Sequence, residues 1–483
     1  MDGMQTENTM LSPRLTQNLA QIKSAFGASF DLLIRNTEIQ KTPCAFILLD
    51  GMCDELRISA TVIRPLTETE KTKASLRELI TLKAYKGTDI KEITSVEKLC
   101  SEVIAGNLVL LCDGEKIAFS FSAQGFAKKG IEEPQTEQNE KGSQEGFTDN
   151  CKDNVSLLRR RLRTPDLVIE QIISGDTSKT PVLVCSLKGR VDEKMLEKIK
   201  NRIRSAKLDT VLGSGYIRPF LDDSVPSFFS DSGITERPDM LAAKLAEGRI
   251  GIIVDGTPFT IIVPYLLADY FHSLDDYLSG PYYAFFIRIL RIVCFIAAVT
   301  LPGFFVAICL FHPEILPSTV MYDIAAEEAQ TPFPIMAEAI TIHIIYEIVR
   351  EAGLRMPRAI GHAVSIVGAL VIGDAAVTAG LIAAPMLIIV ALTTICSSVV
   401  SRLHEPVAIM RFLFIIAGGT LGLYGIFTGL GLLLADICSS APYRVPFSAP
   451  VAPFSLKAQS DTLFRLGWKK LGKIKNGIKE LKF

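Results

Sequence analysis

Residues 289–311, ILRIVCFIAAVTLPGFFVAICLF, decide the fold class. They form an unbroken run of 23 residues with one charge, Arg291, near its start. About 20 apolar residues rising 1.5 Å each cross a hydrocarbon core of roughly 30 Å, so the run reads as a membrane-spanning helix. Pro302 and Gly303 are expected to kink it, which a bundle tolerates because neighbouring helices satisfy the freed carbonyl groups.

Two further apolar runs lie downstream. Residues 379–400 are interrupted by Pro385, and residues 412–435 carry Gly418, Gly422, Gly425 and Gly429 at four- and three-residue spacing. Both read as spans. Small residues on one helix face let helices approach closely in lipid, so the four glycines read as packing positions, with a gating hinge as the other reading. Between the runs lie two ambiguous segments. Residues 335–349 are apolar but hold Glu338, His343 and Glu347. His343 and Glu347, four apart, share a helix face, while Glu338 and Thr341 point elsewhere. Ionisable groups at membrane depth are costly and turn towards protein or water. The segment is therefore either a shielded helix near the interface or a water-lined vestibule. Residues 360–373, IGHAVSIVGALVIG, are too short to span alone, are rich in small side chains and are followed by Asp374. Half-length apolar helices are typical of re-entrant or pore-lining elements, with close helix packing as the plainer reading. The candidate pore or gating residues are thus Ser365, Gly368, Gly373, Asp374, Glu338, His343 and Glu347.

Charge sets the expected topology. Arg288 and Arg291 flank one end of the first span, and the connection over residues 312–331 holds Glu314, Asp323, Glu327 and Glu328 without Lys or Arg. The bias of basic residues towards the cytosol places that acidic loop outside and the first half of the chain inside. The N-terminus shows no basic-then-apolar leader. Residues 456–483 interleave basic and apolar side chains, which suggests an amphipathic helix on an anionic membrane surface with the C-terminus in the cytosol. Two cytosolic ends require an even number of crossings. Three spans are plain, so either 335–349 or 360–373 must cross as well. Arg402 and Arg411 do not fit every four-crossing arrangement.

The preceding residues are unlike this. The chain holds 51 Lys+Arg against 52 Asp+Glu, and most of that charge lies in residues 1–250. Residues 14–35 have helical spacing. Residues 44–51 (CAFILLDG) and 181–189 (PVLVCSLKG) each read as a buried strand, a turn and an acidic helix start. Residues 106–121 and 248–263 each read as strand, Asp-Gly turn, strand. The offset from Gly51 to Gly189 is 138 and that from Gly114 to Gly256 is 142, a near-constant period that suggests two tandem α/β modules. The expected organisation is a first cytosolic module over 1–127, a polar linker over 128–150, a second module over 151–285, a transmembrane helical domain over 286–440 and a Pro-containing segment with a basic tail over 441–483. Arg159, Arg160, Arg161 and Arg163 read as a solvated helix face, or else as a subunit or headgroup contact. Residues 174–180 lack the ending and glycine spacing of a phosphate loop. Ten scattered cysteines form no metal-ligand spacing and read as buried or membrane-embedded reduced thiols. No HExxH or GxSxG occurs, so neither an enzyme, a cofactor nor a nucleic-acid partner is expected.

Several blocks resemble one family. They include residues 157–163 (LLRRRLR), 213–216 (GSGY), 235–239 (TERPD), 254–259 (VDGTPF), 311–314 (FHPE), 332–334 (PFP) and 363–373 (AVSIVGALVIG). The ordered set is similar to the GerA family, the A subunits of spore germinant receptors. His362 stands where the family is expected to carry an amide side chain. The resemblance implies a multi-pass protein of the endospore inner membrane that acts with a transporter-like B subunit and a lipoprotein C subunit. It also implies a homo-oligomer in contact with membrane lipid that forms a nutrient-gated ion channel. A non-conducting scaffold that couples a nutrient-binding partner to downstream proteins is the alternative.

Overall fold

The computed structural model describes residues 10–27, 29–67, 78, 80, 89–122, 125, 133–134, 136–137, 139, 141–222, 227–356, 373–454, 461–462, 465, 467 and 478–481. The first half builds two sheets of the same design. Strands β1 (Leu32–Ile39), β2 (Thr42–Leu49), β3 (Ile90–Ile93), β4 (Leu108–Cys112) and β5 (Ala118–Phe121) pair antiparallel in the order β1-β2-β4-β5-β3. Strands β6 (Leu167–Ser174), β7 (Thr180–Leu187), β8 (Gly233–Thr235), β9 (Ile250–Val254) and β10 (Thr260–Val263) repeat it as β6-β7-β9-β10-β8. The central strands are buried along their whole length, as LVLLC in β4 and IGIIV in β9 require, because helices cover both faces of each sheet.

In the first module α1 (Leu15–Phe26) covers one face and α2 (Glu55–Ile58) and α3 (Arg64–Thr67), joined by a π-helical turn, cover the other; α4 (Val96–Ile104) lies with α1. In the second, α5 (Cys151–Arg161) covers one face and α6 (Glu193–Ser205) and α7 (Ser214–Leu221) the other; α8 (Pro238–Ala246) lies with α5.

The repeat extends to single hydrogen bonds. Asp113 Oδ1 accepts the Leu15 N–H that opens α1 at 2.9 Å, and Asp255 Oδ1 accepts the Cys151 N–H that opens α5 at 3.0 Å. The turn glycines match as well: φ is 77° at Gly51 and 78° at Gly189, then 86° at Gly114 and 87° at Gly256. These left-handed values are those that glycine adopts without a Cβ penalty.

Three expectations for the sheet region need correction. The helical reading of residues 14–35 stops at Phe26, since Gly27 has φ 62° and the chain then enters β1. The described residues of the 128–150 segment are bound to the second module: Phe147 is buried and donates its N–H to Glu236 O at 2.7 Å, and Glu145 pairs with Arg161 at 2.7 Å. The arginine run is not simply a solvated face, because Arg159 is fully buried between the two modules.

Short helices α9 (Leu267–Tyr270) and α10 (Asp275–Leu278) lead into the bundle of α11 (Pro281–Phe311), α12 (Ser318–Glu328), α13 (Ile335–Arg355), α14 (Ala384–Val399) and α15 (His404–Ser439). Among the described residues, two helical stretches are long and apolar enough to cross a membrane, Pro281–Phe311 with mean hydropathy 2.6 and Ser401–Ser439 with 1.8. Helix α11 begins eight residues before the apolar run, so Arg288 and Arg291 lie within it.

The glycine-rich run is not one straight span. Gly422 sits at φ 62° and ψ −146°, a backbone region essentially confined to glycine. There α15 folds back on itself. A Cβ on Gly425 would strike the Ala417 carbonyl, and one on Gly429 would touch the Phe414 ring. The rising arm runs beside α11, with Gly418 against Gly303 and Gly422 against Phe311. The returning arm ends at the soluble region, where Ser440 Oγ donates to Asp231 at 2.8 Å. Each arm of about 17 residues is about 26 Å long, close to a hydrocarbon core.

Helix α13 descends along the rising arm, with Met336 at Gly419 and Glu347 at Arg411 and His404. Helix α14 descends too, from Glu338 at Ala383 to His404 at Ser397. Arg355 therefore lies towards the soluble region and Gly373 at the far end.

The described residues of the tail lie against protein. Ile478 is buried in the core of the second module beside Tyr443, Val445 and Ala449. Arg465 is buried and donates to backbone carbonyls of Asp276 and Tyr277, at 2.8 Å each. At these positions the expected membrane-surface helix is replaced by packing on the soluble region.

Candidate functional site

Three polar layers interrupt the apolar bundle. At the far end, Pro334 starts α13 and places Glu338 in its first turn. Glu338 is fully buried and its Oε1 accepts the Ala383 N–H at 2.5 Å, while Glu327 accepts the next amide, Ala384, at 3.1 Å. Two α12 and α13 carboxylates thus hold the start of α14, as negative charge at a helix N-terminus should.

The middle layer lies about two turns along α13. His343 is fully buried, with Nδ1 2.8 Å from Ala339 O and its ring 6.3 Å from that of Phe412. Glu347 accepts from Arg350 at 2.8 Å and stands 3.6 Å from both Arg411 and His404. Arg411 is fully buried and donates Nε to the Ala298 carbonyl at 3.2 Å. A charge in an apolar interior is tolerated only when paired, so Glu347 and the α11 backbone fix where Arg411 can sit.

The third layer joins the bundle to the second module. Asp276 accepts from Arg291 at 2.7 Å and from Arg288 at 3.3 Å. Burial alone would raise the Asp276 carboxyl, but the hydrogen bond and charge of Arg291, with Ser273 and Arg288, outweigh it and hold the group below its usual range. Arg288 also donates to the carbonyls of Asp461 and Thr462 at 2.6 and 3.0 Å. Beside it, Arg402 bridges three segments, donating to Tyr265 Oη at 2.9 Å and pairing with Glu137 at 2.9 Å while its own backbone links α14 to α15. Burial, and then the charge of Arg288, push His272 down to about 3, so the ring is neutral and donates Nε2–H to Thr462 O at 2.9 Å.

The structure separates the sequence candidates. Glu338 belongs to the far layer, and His343 and Glu347 to the middle one. Thr341, read as sharing a face with Glu338, is exposed while Glu338 is buried. Asp374 is exposed and Gly373 is buried against Leu387. Ser365 and Gly368 lie outside the described residues. Gly418 abuts the α11 backbone, Gly422 is the turn, and Gly425 and Gly429 line the inside of the hairpin. The junction residues Arg288, Arg402, Tyr265 and Glu137 were not singled out as a site. Their signal was present in the arginines next to apolar runs, but their partners come from far along the chain.

The chain is similar in sequence to known proteins. The model of the family described as "Bacillus/Clostridium GerA spore germination protein" matches residues 20–476. Spore germination protein KA of Bacillus subtilis is 38% identical over 465 residues, covering 95% of this chain and 86% of that one. The uncharacterized membrane protein YfkQ of the same organism is 33% identical, covering 95% and 90%. Spore germination protein A1, also of B. subtilis, is 27% identical, covering 98% and 97%. Among solved structures, the N-terminal domain of the A subunit of the Bacillus megaterium spore germinant receptor GerK3 is 28% identical, with a TM-score of 0.43, covering 54% of this chain and 98% of that one. With a family match across nearly its whole length, the chain belongs to the GerA family of spore germination proteins.

Proposed function

We propose that this protein is the membrane A subunit of a nutrient germinant receptor in the endospore inner membrane, and that several copies together form a nutrient-gated cation channel. The observation that carries the reading is the set of ionisable groups, buried Glu338, His343 and Arg411 with half-buried Glu347, inside a bundle whose outward face is apolar. Such groups within a membrane mark ion pathways or the contacts that gate them. Exposed Tyr282, Tyr283 and Phe286 at the start of α11 suit the headgroup level, and exposed Ile289, Val293 and Ile296 above them suit acyl chains. The two sheet modules and the tail then lie on the cytosolic side, and the protein works with a B and a C subunit. Gly418, Gly425 and Gly429 serve close helix packing in this arrangement.

Arg411 argues that the path runs between copies, since its charge inside one bundle opposes a cation. The same residue favours a second reading, a non-conducting adaptor that passes a partner's signal onward. Reconstitution of the full chain with its partners in vesicles separates the two. Nutrient-dependent cation flux supports the channel, and its absence from a correctly assembled complex overturns it. A Gly368→Leu substitution that changes the flux while assembly persists supports the channel over the adaptor.

A further inference from the structure

At the far end of the bundle two buried carboxylate oxygens face each other without a donor between them. Glu338 Oε1 takes the Ala383 amide, but its Oε2 is buried and has no hydrogen-bond partner among the described residues. Glu328 Oε1, on the last residue of α12, is buried and unpartnered in the same way. The two side chains stand within hydrogen-bonding reach of each other. An ionised carboxylate only accepts, so two of them in contact repel unless one carries a proton.

Among the described residues the surroundings offer no other relief. The groups that face Glu328 are Glu338 of α13, Glu327 of its own helix and the Cys309 thiol of α11. Residues 292–349 contain no Lys or Arg at all. The Ala383 amide stabilises negative charge on Glu338, so a shared proton belongs on Glu328, the more exposed partner. Burial and then the Glu338 charge push Glu328 up to about 7.

We propose that Glu328 and Glu338 bind one proton between them, making a protonatable clasp that fastens α12 to α13 and to the start of α14. Loss of the proton puts two negative charges in contact and frees α12 from the bundle. The proposal does not depend on whether the protein conducts ions.

Infrared difference spectroscopy on the full chain in detergent, titrated with pH, tests it. Wild type should show a carboxylic-acid carbonyl band that disappears as pH rises through neutrality. Glu328→Gln should lack it, and Glu338→Gln should move it to the acidic range of an ordinary surface glutamate. Glu328→Gln changes the half-exposed partner and keeps the Glu338 contact to Ala383, so circular dichroism should report unchanged helix. No neutral-range band in wild type, or a band that survives Glu328→Gln in folded protein, overturns the proposal.

Discussion

Arg159 grips Asp31 with two parallel hydrogen bonds, Nε to Oδ2 at 2.9 Å and Nη2 to Oδ1 at 3.0 Å, across the boundary between the two sheet modules. Ser29 completes the pair, accepting from Arg159 at 2.8 Å and donating to Asp31 at 2.6 Å. Alongside, the Phe30 N–H, two residues before β1, donates to Ile169 O of β6 at 3.0 Å. Removing one partner of a fully buried pair strands the other, at a cost of about 3–5 kcal/mol. Arg159→Met should therefore speed amide exchange in β1 and α5, and Asp31→Leu with Arg159→Met should restore most of the protection. Unchanged exchange in the single variant would show that the pair does not hold the modules together.

The hairpin makes a topological prediction. His404 and Ser439 should lie on one side of the membrane and Gly422 on the other, so a cysteine placed at Leu421 should react with an impermeant thiol reagent from the side opposite to the native, exposed Cys438. Gly422→Ala should cost at least about 1–2 kcal/mol from its left-handed backbone, read as a lower unfolding temperature in detergent.

Glu347 and Arg411 provide a third test. With Glu347→Gln, the buried guanidinium keeps the Ala298 carbonyl but loses its counter-charge, which costs about 3–5 kcal/mol. Glu347→Gln combined with Arg411→Met should be less harmful than Glu347→Gln alone. Additive losses in thermal unfolding would mean that the two residues act separately.

His272 predicts a pH dependence with a definite sign. Its pKa falls from 6.5 to about 3 on folding because burial and Arg288 disfavour the charged ring. Between those values the unfolded chain binds a proton that the native chain does not, so this contribution is present above the upper value and is lost as pH falls towards the lower. His272→Gln should flatten stability against pH over that interval, by an amount on the order of a few kcal/mol at its acidic end. A profile as steep as wild type would refute the assignment.

Most of the fold was legible because local signals carried it. The Asp-Gly turns at Asp113-Gly114 and Asp255-Gly256, and the apolar runs of β2 and β7, are short-range patterns that recur at one period. The first apolar helix was visible for the same reason. The hairpin at Gly422 was hidden because four regularly spaced glycines suit a packed helix and a broken one equally, and the contacts of Gly425 with Ala417 and of Gly429 with Phe414 decide between them. The junction was hidden because Arg288 finds Asp461 173 residues away and Arg402 finds Tyr265 137 residues away, and such pairings leave no trace in spacing.

The core of the second module holds Tyr443, Val445, Ala449 and Ile478, all of which follow the last helix of the bundle, while among the described residues the core of the first draws on nothing beyond Phe121. The two modules must therefore mature at different moments of synthesis. The first can close as soon as it leaves the ribosome. The second keeps an open apolar seat until the segment beyond the hairpin has been made, so its completion is tied to that of the helical bundle.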